Sequence, residues 1–273
     1  MSATPPNEFF ALDTIARGDT ATASALIKDC GYDGIGGRAL DEAMPARMAE
    51  LGLKYFSGYL VVSFSPELNV SEDQLQHWFD VVSAQHTVLW VAIEKATRRD
   101  GTFAGHGDRE TEELVVKKLR EIAGEAHQRN VRLALYHHTG YWMERFEDSE
   151  RLAKAVDRPN VGITFNLCHW LKIEGSERDP IPLIKDALPL LMLVTVNGAD
   201  TGDTQSMNWD RLIQPLDSGT YDVAKFVHRL IAVGYRQPVG FQGYGVKGDP
   251  KPILTRSMNA WKSFEPDGKN KAN

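Results

Sequence analysis

The chain has 273 residues, 42% hydrophobic and 25% charged, with a formal net charge of −6. This ordinary globular composition carries an acidic balance that argues against a nucleic-acid partner or an anionic membrane surface, since both call for a basic face. No apolar run approaches the ~20 residues that span a bilayer, and Cys30 and Cys168 stand at a spacing that does not suggest a disulfide.

In chain order, residues 1–8 read as a disordered leader. The start "MSATPPNEFF" lacks the basic end and apolar stretch of a signal peptide, so a cytoplasmic protein, or an exported one without its leader, is expected. "FFALD" is a first strand. "ATASALIKDCGYDGIGG" predicts a helix, a turn at Gly31 and a second strand. "DEAMPARMAELGLKYFSGYLVVSF" repeats the scheme through a turn at Leu51 and Gly52, and "QLQHWFDVVSAQHTVLWVAIEK" repeats it again. "ETEELVVKKLREIAGEAHQRNVRLALYHH" opens its helix with acidic residues and ends it near Arg129, as the helix dipole favours. "SERLAKAVDRPNVGITFN", "IPLIKDALPLLMLVTVNGAD" and "DVAKFVHRLIAVGYRQPVGFQGYG" complete eight units. A closing helix, "ILTRSMNAWKSF", precedes a polar tail over 265–273.

Each strand is a continuous apolar or β-branched run, so both faces are buried and the strands are parallel. Eight such units without a linker-like tract predict a single (β/α)8 TIM barrel over residues 9–264. A doubly wound open sheet is the competing architecture, but it has no use for eight similar units, and GxGxxG and GxxxxGK[ST] are both missing.

In a β/α barrel the active site lies at the strand C-termini. Those ends supply Asp13, the glycines of "GIGG", Ser63 and Ser65, Glu94 and Lys95, and then Tyr136, His137 and His138. Asn166, His169 and Trp170 follow, then Asn197 and Asp200, then Gln242 and Tyr244. So many polar groups at one face would be costly to bury without a ligand to satisfy them, which predicts a polar small-molecule pocket.

The motifs "CGYDGIGG", "LALYHH", "GITFNLCH", "VNGAD" and "GFQGYG" together resemble the sugar phosphate isomerase/epimerase superfamily, the xylose isomerase-like TIM barrels. That resemblance covers the whole chain. It implies a metal held by Glu, Asp, His and Glu at positions that here carry Tyr136, Asn166, Asn197 and Gln242, while His138, His169 and Asp200 match accompanying positions. Without an anionic ligand, those four side chains would hold Mn²⁺, Mg²⁺ or Zn²⁺ weakly. The expectation is therefore a divergent branch with no cofactor. The alternative is a divalent metal moved onto a His138, His169 and Glu94 site.

The function expected is proton abstraction next to a carbonyl of a non-phosphorylated sugar, leading to isomerisation, epimerisation or elimination. His138 and His169 carry the proton, because imidazole titrates near neutrality, with Glu94 and Tyr136 as further catalytic groups. Asn166, Asn197 and Gln242 bind hydroxyls or an enolate, since an amide offers both donor and acceptor. Asp200 also touches substrate, and Trp142 and Trp170 stack on sugar faces from loops above the mouth. His137 points outward, and Cys168 is packing. The competing reading is a catalytically inactive barrel that binds carbohydrate. The partner expected is a small-molecule carbohydrate, with no nucleic acid and no membrane, on a monomer or homodimer.

Overall fold

A computed structural model of the chain describes residues 5–16, 18–37, 42–65, 67–83, 87–105 and 108–264. Residues 1–4 of the expected leader and the expected tail 265–273 lie outside these. Within the rest of the leader, Asn7 is buried and its Nδ2 donates to the Gln237 carbonyl at 2.7 Å, so the chain joins the fold before Phe9.

The apolar runs form β1 (Phe9–Leu12), β2 (Gly34–Gly36), β3 (Lys54–Ser65), β5 (Val88–Ala96), β6 (Arg132–Leu135), β7 (Val161–Asn166), β8 (Leu191–Val196) and β9 (Val239–Phe241). A two-residue strand, β4 (Glu67–Leu68), folds back antiparallel on the end of β3. The other eight are parallel, in the order β2-β1-β9-β8-β7-β6-β5-β3, and a β2–β3 pairing closes the ring. Closure removes the sheet edges and makes the expected (β/α)8 barrel.

Ten helices lie among the described residues, and seven of them shape the account of the site: α1 (Thr20–Asp29), α4 (Arg109–Gln128), α5 (Phe146–Val156), α6 (Leu167–Glu174), α8 (Trp209–Leu212), α9 (Val223–Ala232) and α10 (Pro250–Ser263). Asp19, Asp108, Asp222 and Asp249 cap the starts of α1, α4, α9 and α10 by accepting backbone N–H bonds. Inside the ring, Phe10, Phe56, Val88, Ala92, Ala134 and Leu193 form a filled core beneath the mouth.

Two features differ from the linear reading. Trp170, expected on a loop above the mouth, instead lies on a helix, because β7 passes directly into α6 with Asn166 as the N-cap. An Asn can end a strand and start a helix in one step, because its side-chain oxygen satisfies the first orphan amides. Second, β3 and β5 pair from Ser57 and Val88 up to Phe64 and Ala96, a ribbon longer than the neighbouring strands. Beside it, β5 and β6 pair only from Val88 to Val91.

Candidate functional site

A cavity of about 470 Å³ opens at the strand C-terminal face. Its floor is an aromatic layer in which Trp90 stacks on Tyr136, centroids 4.9 Å apart, and Tyr59 meets Tyr136 edge-on at 5.3 Å. Tyr136 is almost fully buried, and that burial holds its phenol well above the ordinary value, so it carries its proton at neutral pH.

Above Tyr136 sit His138 and His169, their ring centroids 4.2 Å apart. The strand alternation sends Tyr136 and His138 into the mouth. His137 turns outward, where its ring meets Phe146 edge-on at 5.8 Å and its Nε2 accepts the Asn166 amide at 3.1 Å. Burial pushes His137 down to about 3 and lowers His138; burial, then the neighbouring histidines, lower His169 well below its ordinary value. All three are therefore neutral imidazoles at pH 7. A tight turn after β6, closed by His138 N–H donating to the Met143 carbonyl at 3.0 Å, carries Thr139 and Tyr141 into the cavity wall. Tyr141 stacks on His138 at 4.0 Å.

The structure brings His138, His169, Tyr136 and Gln242 together around this cavity. Gln242 Oε1 accepts from the Thr14 hydroxyl at 3.3 Å and the Tyr244 amide at 3.1 Å, which fixes its orientation.

The other expected site residues lie elsewhere. Asn166 is fully buried behind Tyr136. Its Oδ1 accepts from the amides of Cys168 (3.1 Å) and His169 (3.3 Å) and from the Cys168 thiol (2.9 Å), while its Nδ2 donates to the Tyr136 hydroxyl at 2.9 Å. Its amide thus aims Tyr136 and starts the helix that bears His169. Asn197 is also buried, its Nδ2 donating to the carbonyls of Gly198 (2.9 Å) and Leu212 (2.6 Å). Asp200 pairs with Arg211 at 2.8 Å, and that guanidinium holds its carboxyl below the usual range.

Trp142 and Trp170 are packed inside the protein. Trp142 N–H donates to the Glu94 carbonyl at 2.9 Å, and Trp170 Nε1 donates to the Arg178 carbonyl at 3.3 Å with the Arg178 guanidinium 5.0 Å from its ring centroid. Glu94 stands on the ribbon with Ser63, whose hydroxyl donates to Glu94 Oε2 at 3.4 Å, and neither residue lines the cavity. Lys95 and Ser65 are exposed on the same ribbon. Cys168 does line the cavity, and burial pushes its thiol up, so it is a protonated donor to Asn166 rather than a thiolate.

Several lining residues fall outside the expected set: Tyr59, Trp90, Thr139, Tyr141 and Trp209. Trp209 opens α8 at the end of the long loop after β8, and its ring meets His169 edge-on at 5.6 Å. Tyr244, named only as a strand end, is 55% exposed at the rim. Tyr59 and Trp90 could be found by counting register back from the strand ends. Trp209 carries no periodic signal.

The four positions that hold a metal in the resembling family do not fit one here. Tyr136 is a protonated phenol, both ends of the Asn166 amide are committed, and Gln242 Oε1 already accepts two hydrogen bonds. Asn197 is held by its Nδ2 on two carbonyls, and its buried Oδ1, without a hydrogen-bond partner, is a single neutral donor. Among the described residues no three His, Cys, Asp or Glu side chains are disposed to hold a metal ion, so the rearranged His138, His169 and Glu94 set does not assemble.

A closed eight-stranded β/α barrel with a cavity at its strand C-termini, lined more by aromatic and apolar side chains than the expected polar pocket, defines the class. The profile of the xylose isomerase-like TIM barrel family matches residues 25–264, and the chain belongs to that family. Among solved structures, it is similar to a 3-keto-D-glucoside 4-epimerase from E. coli, with 16% identity, a TM-score of 0.71, and coverage of 94% of this chain and 98% of that one. A D-allulose 3-epimerase from Methylomonas sp., in complex with D-allulose, gives 19% identity and a TM-score of 0.67 over 98% of this chain and 94% of that one. A xylose isomerase-like TIM barrel/4-hydroxyphenylpyruvate dioxygenase fusion protein gives 18% identity and a TM-score of 0.68 over 93% of this chain, which spans only 42% of the fusion's length. At these identities the likeness is one of fold. No curated protein matches the sequence. Among the described residues no helix is long and apolar enough to cross a membrane.

Proposed function

We propose that the protein is an enzyme acting on a non-phosphorylated sugar or sugar derivative by proton transfer next to a carbonyl, giving isomerisation, epimerisation or elimination. The observation that carries this reading is the pair of neutral imidazoles, 4.2 Å apart, facing a cavity above a protonated tyrosine. Neutral imidazole can both accept and donate a proton without a metal, and Tyr136 can hold a developing oxyanion.

The aromatic walls, Tyr59, Trp90, Tyr141 and Trp209, offer flat faces for the C–H side of a sugar ring. Among the described lining residues there is no Lys or Arg, the groups that would clamp a phosphate. Gln242 is the amide placed to meet a hydroxyl. The solved epimerases with this fold make the substrate class consistent with the architecture. The proton transfer draws only on the chain's own side chains, on a monomer or homodimer.

The test is deuterium incorporation from D₂O into a panel of unphosphorylated ketoses and 3-keto-glycosides, followed by NMR. Wild type should exchange the proton beside the carbonyl of at least one of them. The His138→Gln/His169→Gln double variant should bind that sugar without exchanging it. A double variant with full exchange sinks the assignment, and a wild type that binds sugars but exchanges none is a binding barrel instead.

A further inference from the structure

We propose that Thr139 fixes opposite tautomers in the two histidines, leaving His138 Nε2 as the proton acceptor and His169 Nε2–H as the hydrogen-bond donor of the site. His138 Nδ1 lies 2.9 Å from the Thr139 carbonyl oxygen. A carbonyl only accepts, so this nitrogen carries the ring hydrogen and Nε2 carries the lone pair. His169 Nδ1 lies 3.3 Å from the Thr139 backbone N–H. An amide N–H only donates, so this nitrogen carries the lone pair, and the Thr139 hydroxyl, 3.0 Å away, donates to it as well. The ring hydrogen of His169 is then on Nε2.

One residue thus reads the two rings with the two halves of its own backbone. Neither ring is free to turn over, because Tyr141 stacks on His138 and Trp209 packs against His169. Both rings line the cavity, and their Nδ1 atoms face Thr139, which leaves each Nε2 for a ligand. Burial opposes protonation of both, and at His169 the neighbouring His138 and His137 oppose it further.

The chemical roles rest on the sugar-enzyme reading above; the tautomers do not. In an enolisation the substrate C–H bond breaks, its proton passes to His138 Nε2, and its electron pair becomes the enolate double bond. His169 Nε2–H holds the enolate oxygen, and return of the proton from His138 completes the transfer. Thr139 touches neither the proton nor the substrate carbon in this scheme and is a positioning residue.

The experiment is a two-bond ¹H–¹⁵N correlation spectrum of the ¹⁵N-histidine-labelled full chain at neutral pH without substrate, assigned with His138→Gln and His169→Gln. The expected result is a Nδ1–H pattern for His138 and a Nε2–H pattern for His169. The same tautomer in both, or an imidazolium in either, overturns the proposal. Thr139→Val should move the His169 Nδ1 resonance towards that of an unbonded ring nitrogen and leave His138 in place, and Thr139→Ser should restore it. A His169 resonance indifferent to Thr139→Val removes the hydroxyl from the positioning role and leaves it to the Thr139 backbone. Unlike tautomers in a protein that exchanges no sugar would defeat the function and leave the tautomer assignment standing.

Discussion

Asn166 shows what an amide does at a position where a carboxylate would hold a metal: it accepts the first amides of α6 with its oxygen and steadies Tyr136 with its nitrogen. Asn166→Ala removes a helix cap and strands buried groups, at a cost of about 2–4 kcal/mol. A urea-unfolding free energy within about 0.5 kcal/mol of wild type would show that those bonds do not matter. His138→Gln and His169→Gln should each lower the exchange rate by ~10²–10⁴ fold while leaving the melting temperature near wild type, as general acid–base roles require. At this scale the sequence was half legible. His138 and Gln242 follow from strand alternation, and His169 from its place just past a strand. Asn166, Asn197 and Gln242, however, look alike as letters and are all buried; only their place in the fold separates the two amides tied to the backbone from the one that lines the cavity.

At the scale of elements, the alternation of helix and strand was readable because each parallel strand is an uninterrupted apolar run. The barrel mouth was not, because a strand's last residue marks the mouth only if the strand stops there. β3 and β5 continue past it, so Glu94 and Ser63 rise above the cavity while Tyr59 and Trp90, well inside their strands, line it. The loop after β8 is a second case. It is held by Thr201 N–H on the Thr220 hydroxyl, by Asp200 on Arg211, and by Lys172 on the Gln205 and Met207 carbonyls. Gly219 lets it close: its φ is +87°, and a Cβ there would stand 2.1 Å from the Ala199 carbonyl oxygen. Gly219→Ala should destabilise by more than ~1 kcal/mol and displace Trp209 from His169. A melting curve identical to wild type would mean the loop has another way to close.

Across the whole molecule, three neutral histidines are clustered on one side of the barrel, His137 and His169 buried and His138 partly so. Their folded-state values lie below the ordinary one, and for His137 the value falls to about 3. The unfolded chain therefore binds the extra protons, so stability is full above pH ~6.5 and falls as the pH drops towards 3. His137 alone should contribute about 2 kcal/mol of loss between pH 7 and pH 5. Urea midpoints across that range test this, and His137→Asn should flatten the slope; a flat wild-type profile contradicts it. The same side chains bear on metal content. With no anionic ligand set among the described residues, protein purified without chelator should contain far less than one divalent ion per chain by elemental analysis. EDTA should leave its melting temperature unchanged.

The ribbon of β3 and β5 has one more effect. Its upper end bonds the turn that follows β6, with Trp142 N–H on the Glu94 carbonyl at 2.9 Å and Met143 N–H on the Ile93 carbonyl at 3.2 Å. The segment presenting Thr139 and Tyr141 is consequently an edge-bonded part of the sheet and not a swinging flap. Its amides should exchange with solvent as slowly as those of the barrel strands, with protection factors near the global limit at Trp142 and Met143. A site built this way is organised before its ligand arrives, and binding should carry little of the entropy loss that a closing lid would impose.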